Sequence, residues 1–592
     1  MAAIEQRAFG RGPTIPLHSI SMRHDMLASL RTVLVCATVF ALASSVDHAQ
    51  STESARIGAR TEIVVFGGTP GGIAAAVSAA RAGRKVQLIE PSAWVGGMMS
   101  GGLSNTDTGQ RGPEVISGLA GEFFRRVRVI EQMRGACLEP CASSFLFEPQ
   151  VATQVFESML REAGVAVERS AHLVDVKKNG TAITSLVTAR GEVRADVFID
   201  ASYEGDLMKL AGVPFRIGRE PRRMAGAVDA AALAEQEDDA GVQRRQLPLG
   251  LHIDPYRVAG EPASGLVAFV EPRPDPLPEV GDGDARVTAY TYRLCVTDDP
   301  TNRIPFTRPE RYAASDYELH ARVAASAPAD VDIARNMFNP ARVARSRDKN
   351  FFKYDLNSSL TLSTDLTGDG LNQGYVDQPH ASREQIQRIY RDYIQGWFYA
   401  MQTEPRLKAL HARVSQFGYC ADEFTDNGGW PHQFYVRVGR RMLGQYVMNE
   451  NDVMQNGRRP KISDPVALGT YSLAAHHHRY LAAPVEWPNG QRKDAVMLEG
   501  LLIGRIPNDA PYPISYRSLT PRENDARNLL NPVTLSATHV AYSSIRMEPT
   551  FMMLGEAAGI AAALSMESKS SVQAVSYPTL RRQLLAAGLR VD

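Results

Sequence analysis

The chain has 592 residues, 65 basic and 65 acidic side chains, and 44% hydrophobic content. That length supports two large cores or one composite core. The charge balance gives no reason to expect nucleic acid or an anionic membrane surface as a partner, and no internal repeat is present.

Arg23 and Arg31 precede an apolar run from Val33 to Ala43, followed by small and polar residues to about Arg60. This pattern predicts a leader over 1–50, a signal peptide cleaved after Ala43 or Ala49. The run is too short to span a bilayer. The mature chain is therefore expected to be periplasmic or secreted, without a stable membrane span. Cys36 falls in the leader. Cys137, Cys141, Cys295 and Cys420 remain, and an oxidising compartment permits bridges among them without fixing their pairing. No Cys/His set has zinc spacing, so no metal is expected.

Residues 61–90 read TEIVVFGGTPGGIAAAVSAARAGRKVQLIE. An apolar strand, a glycine turn, an alanine-rich helix, a second strand and the acid Glu90 follow in order. This is a dinucleotide fingerprint in its required context. Gly67 permits the turn out of the first strand, and Gly72 lets the helix pack close to the sheet. The helix N-terminus then faces a pyrophosphate. Glu90 lies about twenty residues on, where an acid binds ribose hydroxyls. Thr69 replaces the middle glycine. The next segment, PSAWVGGMMSGGL, brings Gly96 and Gly97 close to an extended cofactor and favours FAD over NAD.

Residues 61–215 read as the first part of the cofactor domain. A helix is predicted over Glu148–Gly164. Four short runs (VAVERS, HLVDVKK, AITSLVTA, EVRADVFID) predict a β-meander returning to a sheet strand. That strand ends at Asp200-Ala201-Ser202, and Tyr203 to Asp206 opens a helix. Residues 216–460, rich in Pro, Arg, Asp and aromatics, read as an inserted substrate domain whose clearest helix is Ser382–Met401. The stretch Asp365–Gly370 has half of a calcium loop but Val376 where the bidentate acid belongs, so it reads as a polar turn. Residues 461–592 read as a return to the cofactor domain, with a second Ala/Gly helix, GEAAGIAAALSM.

Several segments together carry a resemblance: VVFGGTPGGIAAA, GGMMSGGL, FEPQVATQVFESML, VFIDASYEGDLMKLAGV, AYTYRLCVTDDP, DEFTDNGGWPHQFYVR, PYPISYRSLTP and SATHVAYSSIRMEPTFMMLGEAAGIAAA. The chain resembles the bacterial FAD-dependent oxidoreductases with a glutathione-reductase-type FAD fold. The resemblance implies an α/β, Rossmann-type FAD-binding domain, discontinuous in sequence, with an inserted substrate domain. It implies that Gly67, Thr69, Gly71 and Gly72 hold the pyrophosphate and Glu90 the adenosine ribose. Gly96 and Gly97 would lie near the rest of the cofactor, Val174 would meet adenine through its backbone, and Asp200 and Ala201 would close the strand end beside FAD. Gly555, Glu556 and Gly559 would open a helix aimed at the flavin pyrimidine. Family members often have an acid and a serine before the histidine of GTYSLAAHHH; here Ala474 and Ala475 precede His476.

A flavin dehydrogenation needs a base for a hydroxyl or amine proton. His539, Tyr542 and Arg546 precede the flavin-facing helix, and His539 is the first candidate base, with Arg546 on substrate or flavin. His432 is the next, in a cluster with Trp430, Tyr435 and Arg437. Tyr512, Tyr516 and Arg517 form a third candidate lining. A polyol, sugar or carboxylate-bearing molecule suits these residues. No second nucleotide fingerprint is present for a nicotinamide. The sequence thus predicts oxidation of a small polar molecule, with oxygen or an unidentified electron acceptor as partner. A flavin-dependent reductase or hydroxylase, or a non-catalytic carbohydrate-binding protein on a flavin fold, are the alternatives.

Overall fold

A computed structural model describes residues 60–138, 145–221, 244–246, 251–279, 281–357, 364–455 and 461–592. The expected leader and Cys141 lie outside these residues.

Strand β1 (Ile63–Phe66) is an unbroken β-branched and aromatic run, buried on both faces, as parallel strands are. Helix α1 (Pro70–Arg81) follows, with proline at N1 where its missing N–H costs nothing. Then come β2 (Val86–Ile89), α2 (Gly118–Arg134) and α3 (Pro149–Glu162). Helix α3 sits where the sequence predicted one, and it buries Val151, Val155, Phe156, Met159 and Leu160 along one stripe. Strand β3 is Ala166–Glu168.

Strands β4 (Leu173–Asn179), β5 (Ala182–Thr188) and β6 (Gly191–Arg194) form the antiparallel meander. The run VAVERS is not part of it. It supplies β3, which pairs with β2 as an edge of the parallel sheet. Strand β7 (Val197–Asp200) and helix α4 (Asp206–Leu210) complete this part.

Residues 294–420 contribute a five-stranded antiparallel sheet from β8 (Leu294–Thr297), β9 (Arg303–Ile304), β10 (Ala341–Arg345), β11 (Phe352–Leu356) and β12 (Gly418–Cys420), in the order β9-β12-β8-β11-β10. Between β11 and β12 runs α5 (His380–Thr403). It buries Ile386, Tyr390, Tyr393, Ile394, Trp397, Phe398 and Met401, at the three-to-four spacing of one helix face. Cys295 on β8 and Cys420 on the neighbouring β12 are bridged. Cys137 is also disulfide-bonded.

The chain continues through β13 (Leu473–Ala475), β14 (Arg479–Glu486) and β15 (Arg492–Glu499), then β16 (Leu529–Leu530), α6 (His539–Ile545) and α7 (Glu548–Glu567). Strand β14 pairs with β15 and with Val270–Glu271. These pairings join a strand from residues 461–592 to one from residues 216–460 in a single sheet.

The parallel sheet has the order β16-β7-β1-β2-β3. Alternation along β1 sends Ile63 and Val65 into a core with α1 and α7, and Val64 and Phe66 into a second core under the meander. Helix α7 is long and apolar enough to cross a membrane, but 89% of its apolar window is buried inside the protein.

Candidate functional site

At the end of β1 the chain turns through Gly67 at φ +99°, a conformation that favours glycine, and a Cβ there would lie 2.7 Å from the Ser202 nitrogen. A Cβ on Gly72 would fall 1.9 Å from the Gly67 carbonyl oxygen. Thr69, in place of the usual glycine, is the N-cap of α1. Its hydroxyl accepts from the Gly72 N–H at 3.1 Å and donates to the Ala201 carbonyl at 2.8 Å. That second bond ties the turn to the end of β7.

Glu90 ends β2 and faces the same turn. Its carboxylate accepts from the Gly68 N–H at 2.6 Å and the Ser92 N–H at 2.7 Å. Burial pushes its pKa up, opposed by those hydrogen bonds. Asp200 accepts from the Ser202 N–H at 3.1 Å, the Ser202 hydroxyl at 2.7 Å and the Met208 N–H at 2.8 Å. It fixes the turn after β7, and burial pushes it up to about 6.

A cavity of about 800 Å³ opens at these strand ends, where open α/β sheets bind ligands. Gly67, Thr69, Glu90, Val174, Tyr203 and His432 are in its wall. Gly96 and Gly97 sit behind it, the Gly96 N–H bonded to the Gly68 carbonyl at 2.6 Å. Tyr375, with His380 and Arg383 of α5, also lines the cavity. These residues fit FAD. Only a glycine-sized backbone passes at Gly67 and Gly72, an acid stands at the end of β2, and the start of α1 adjoins a cavity of about 800 Å³.

Three expected cofactor residues have other work. Helix α7 begins at Glu548, not at Gly555. A Cβ on Gly555 would lie 1.9 Å from the Gly71 oxygen, and one on Gly559 2.3 Å from the Ala75 oxygen. Both glycines exist to let α7 press against α1. Glu556 accepts from the Leu119 N–H at 2.7 Å at the start of α2, and burial pushes it up to about 7.

The true start of α7 faces a polar cluster. The Tyr203 hydroxyl donates to Glu548 at 2.8 Å and accepts from the Met98 N–H at 3.0 Å. Burial pushes Glu548 up to about 8. Arg546, between α6 and α7, donates to the Tyr435 hydroxyl and to the Ala474 carbonyl, both at 2.9 Å. His476 lies 2.5 Å through Nδ1 from Asp365, and Asp365 lies 2.8 Å from Arg437. Arg437 and His476 hold the Asp365 carboxyl well below its usual range, while burial pulls His476 down.

His539 is placed elsewhere. It is buried against His478, with ring centroids 5.0 Å apart, and its backbone N–H donates to Glu220 at 2.8 Å. Around it run the Arg441–Glu220, Arg219–Glu499 and Arg479–Glu499 pairs. Burial, then the charges of Arg441 and Arg219, pull its pKa well down. It has no part in the wall of the large cavity. Its place before α7 thus turns its ring into an ion-pair network, where the charge of Arg546 also reaches it.

Tyr542 is likewise buried, its hydroxyl on the Val533 carbonyl at 3.0 Å. His432 does line the cavity. It stacks on Trp94 at 4.4 Å, and burial pulls it down to about 4. Trp430 packs among Tyr292 and Tyr419. Tyr512 bonds Ser544, Tyr516 bonds the Val572 carbonyl, and Arg517 pairs with Asp464. All four brace the fold. Sequence reasoning missed Tyr203, Glu548 and Asp365. Tyr203 and Glu548 were inside quoted segments, but nothing marked them as partners. In the sequence Asp365 reads as part of a polar turn.

Residues 62–584 match the family model described as FAD dependent oxidoreductase. The chain belongs to this family. No curated protein sequence matches it. Among solved structures it is similar to OxyS anhydrotetracycline hydroxylase from Streptomyces rimosus, at 18% identity and TM-score 0.21 over 28% of this chain and 38% of that one. It is also similar to L-proline dehydrogenase from P. horikoshii, at 14% identity and TM-score 0.21 over 27% and 59%. L-amino acid deaminase from Proteus vulgaris gives 14% identity and TM-score 0.20 over 27% and 52%. The chain thus spans about half the length of the flavoproteins it matches.

Proposed function

We propose that the chain is an exported FAD-dependent dehydrogenase of a small polar organic molecule, with a cofactor domain of glutathione-reductase type. One observation carries the reading. Tyr203 lines the nucleotide cavity and also bonds Glu548, at the start of α7. It links the cavity to a cluster of Tyr435, His476, Arg546 and Glu548. When bound, the isoalloxazine supplies a hydride acceptor at N5. The protein's own groups orient the substrate, and the positive end of α7 favours negative charge nearby. A single fingerprint in the sequence supports electron delivery to oxygen or a separate acceptor. The bridges at Cys295–Cys420 and Cys137 support an oxidising compartment, periplasmic or secreted, as does the basic-then-apolar segment.

The test is anaerobic titration of the purified holoprotein with alcohols, amines, hydroxy acids and amino acids. Bleaching of the flavin with formation of the two-electron oxidised product is expected. A flavin that no compound bleaches, or that reoxidises only while reducing a double bond, would refute dehydrogenation. Intact mass of protein from the native host tests export.

A further inference from the structure

Buried cations in this fold are paired with acids. Arg219 meets Asp284 and Glu499, Arg441 meets Glu220, and Arg437 meets Asp365. Arg546 is 7% exposed and has no carboxylate partner among the described residues. Its two bonds go to neutral oxygens, and its Nε has no partner. Glu548 does not compensate it. That acid bonds Tyr203, and burial keeps it protonated at neutral pH. A rim acid, Asp107, bonds Tyr471 and makes no ion pair with Arg546. A guanidinium so enclosed is costly until an anion reaches it. Helix α7, starting two residues on, adds its positive end.

His476 supplies the complementary group. Its Nδ1–H donates to Asp365, which Arg437 holds in place. That fixes the tautomer and leaves a lone pair on Nε2. Nε2 has no protein partner among the described residues, and the side chain is 10% exposed. Arg546 bonds the carbonyl of Ala474, two residues earlier, and its charge is felt at the imidazole. The Tyr435 hydroxyl, having accepted from Arg546, keeps its own proton to donate. The residues around this group, Tyr435, Tyr471, Ser472 and Ala474, are half-buried, so the cluster is not sealed.

We infer that Arg546, Tyr435 and His476 form a site for a small 2-hydroxy or 2-amino carboxylate. The carboxylate takes Arg546 and Tyr435, and the adjacent O–H or N–H donates to His476 Nε2. Asp365 and Arg437 are positioning residues. A neutral polyol or sugar leaves the guanidinium uncompensated and does not fit. This deepens the dehydrogenase reading and rests on it for the nature of the reaction, not for binding.

The test is calorimetric titration of the FAD-loaded protein. The panel is glycolate, lactate, malate, glycine, alanine and proline, against acetate and propionate, which lack the donor, and propane-1,2-diol, which lacks the charge. At least one substituted acid should bind more tightly than its unsubstituted counterpart, and the diol should not bind. Arg546→Met should weaken acid binding roughly 10- to 100-fold, and Arg546→Lys should restore part of it. His476→Asn should remove the preference for substituted acids and spare acetate or propionate. Melting curves check each variant; if Arg546→Met does not fold, Arg546→Lys carries the test through loss of the planar fork. Failure of every acid, equal binding of the diol, or parental affinity in the Arg546 variants overturns the site. Heat of binding needs no turnover. Binding without bleaching would keep the site and remove the dehydrogenase reading. Bleaching by a neutral alcohol alone would do the reverse.

Discussion

The nucleotide end and the proposed reacting end of this site are built in different ways. The nucleotide end is local. Gly67, Thr69, Gly72 and Glu90 come from one βαβ unit, and backbone geometry does most of the work. The reacting end is assembled from side chains far apart in sequence: Tyr203 with Glu548, Asp365 with His476, Tyr435 with Arg546. A glycine turn tolerates little change because the backbone itself occupies the space. A cluster of side chains can be altered one member at a time, and its meaning lies in pairings.

The largest effect should separate the two ends outright. Gly72→Val sets a branched Cβ where even a methyl would lie 1.9 Å from the Gly67 oxygen. The turn cannot close, and flavin should be lost completely. Flavin absorbance per polypeptide measures this, and a variant carrying full flavin would falsify the nucleotide assignment. Gly555→Leu sharpens the comparison, because the sequence placed Gly555 at the flavin and the structure places it against α1. Its Cβ would lie 1.9 Å from the Gly71 oxygen, a backbone atom. The cost should exceed the ~1–3 kcal/mol of ordinary overpacking. Denaturant unfolding should show it with or without FAD. A loss of flavin at unchanged stability would return Gly555 to the cofactor.

A smaller effect tests the reacting end through pH. Glu548 is pushed up to about 8 by burial. The folded state therefore holds its proton more tightly than the unfolded chain, whose carboxyl titrates near 4.5. Its contribution is full below about 4.5 and is lost as pH rises through about 8. Glu548→Gln is neutral at every pH. It should flatten the fall in unfolding free energy between pH 5 and 9, by an amount on the order of a few kcal/mol, read by denaturant unfolding. Parallel pH profiles for parent and variant would show that Glu548 is not held protonated.

The same contrast explains what the sequence revealed. The β1–α1–β2 turn was legible because its pattern is periodic, local and bounded by an acid. Helices α3 and α5 were legible from apolar spacing. Strand β3 was misread because three residues of alternating character fit a meander edge and a sheet edge equally. Gly555 was misread because glycines in an Ala-rich helix serve close helix packing as readily as a ligand. Asp365 was hidden because its partner His476 is 111 residues away. Ala474 and Ala475 beside His476 give no local acid, and the acid that pairs with it arrives from another segment.

The smallest expected effect concerns His539, the base that position alone suggested. Its ring lies against His478 among the Arg441–Glu220 and Arg219–Glu499 pairs. It has no place in the wall of the cavity. Burial, then the charges of Arg441, Arg219 and Arg546, pull its pKa well down, as suits a ring packed beside guanidinium groups. His539→Asn keeps the backbone N–H that bonds Glu220, so the network should survive. The variant should lose about 1 kcal/mol of stability, the common cost of one substitution. Anaerobic flavin reduction at saturating substrate should stay within about threefold of the parent, far from the ~10²–10⁴-fold that removal of a general base costs. A rate loss of that larger size, with the melting temperature intact, would restore His539 to the reacting end and mean that α6 turns during the reaction.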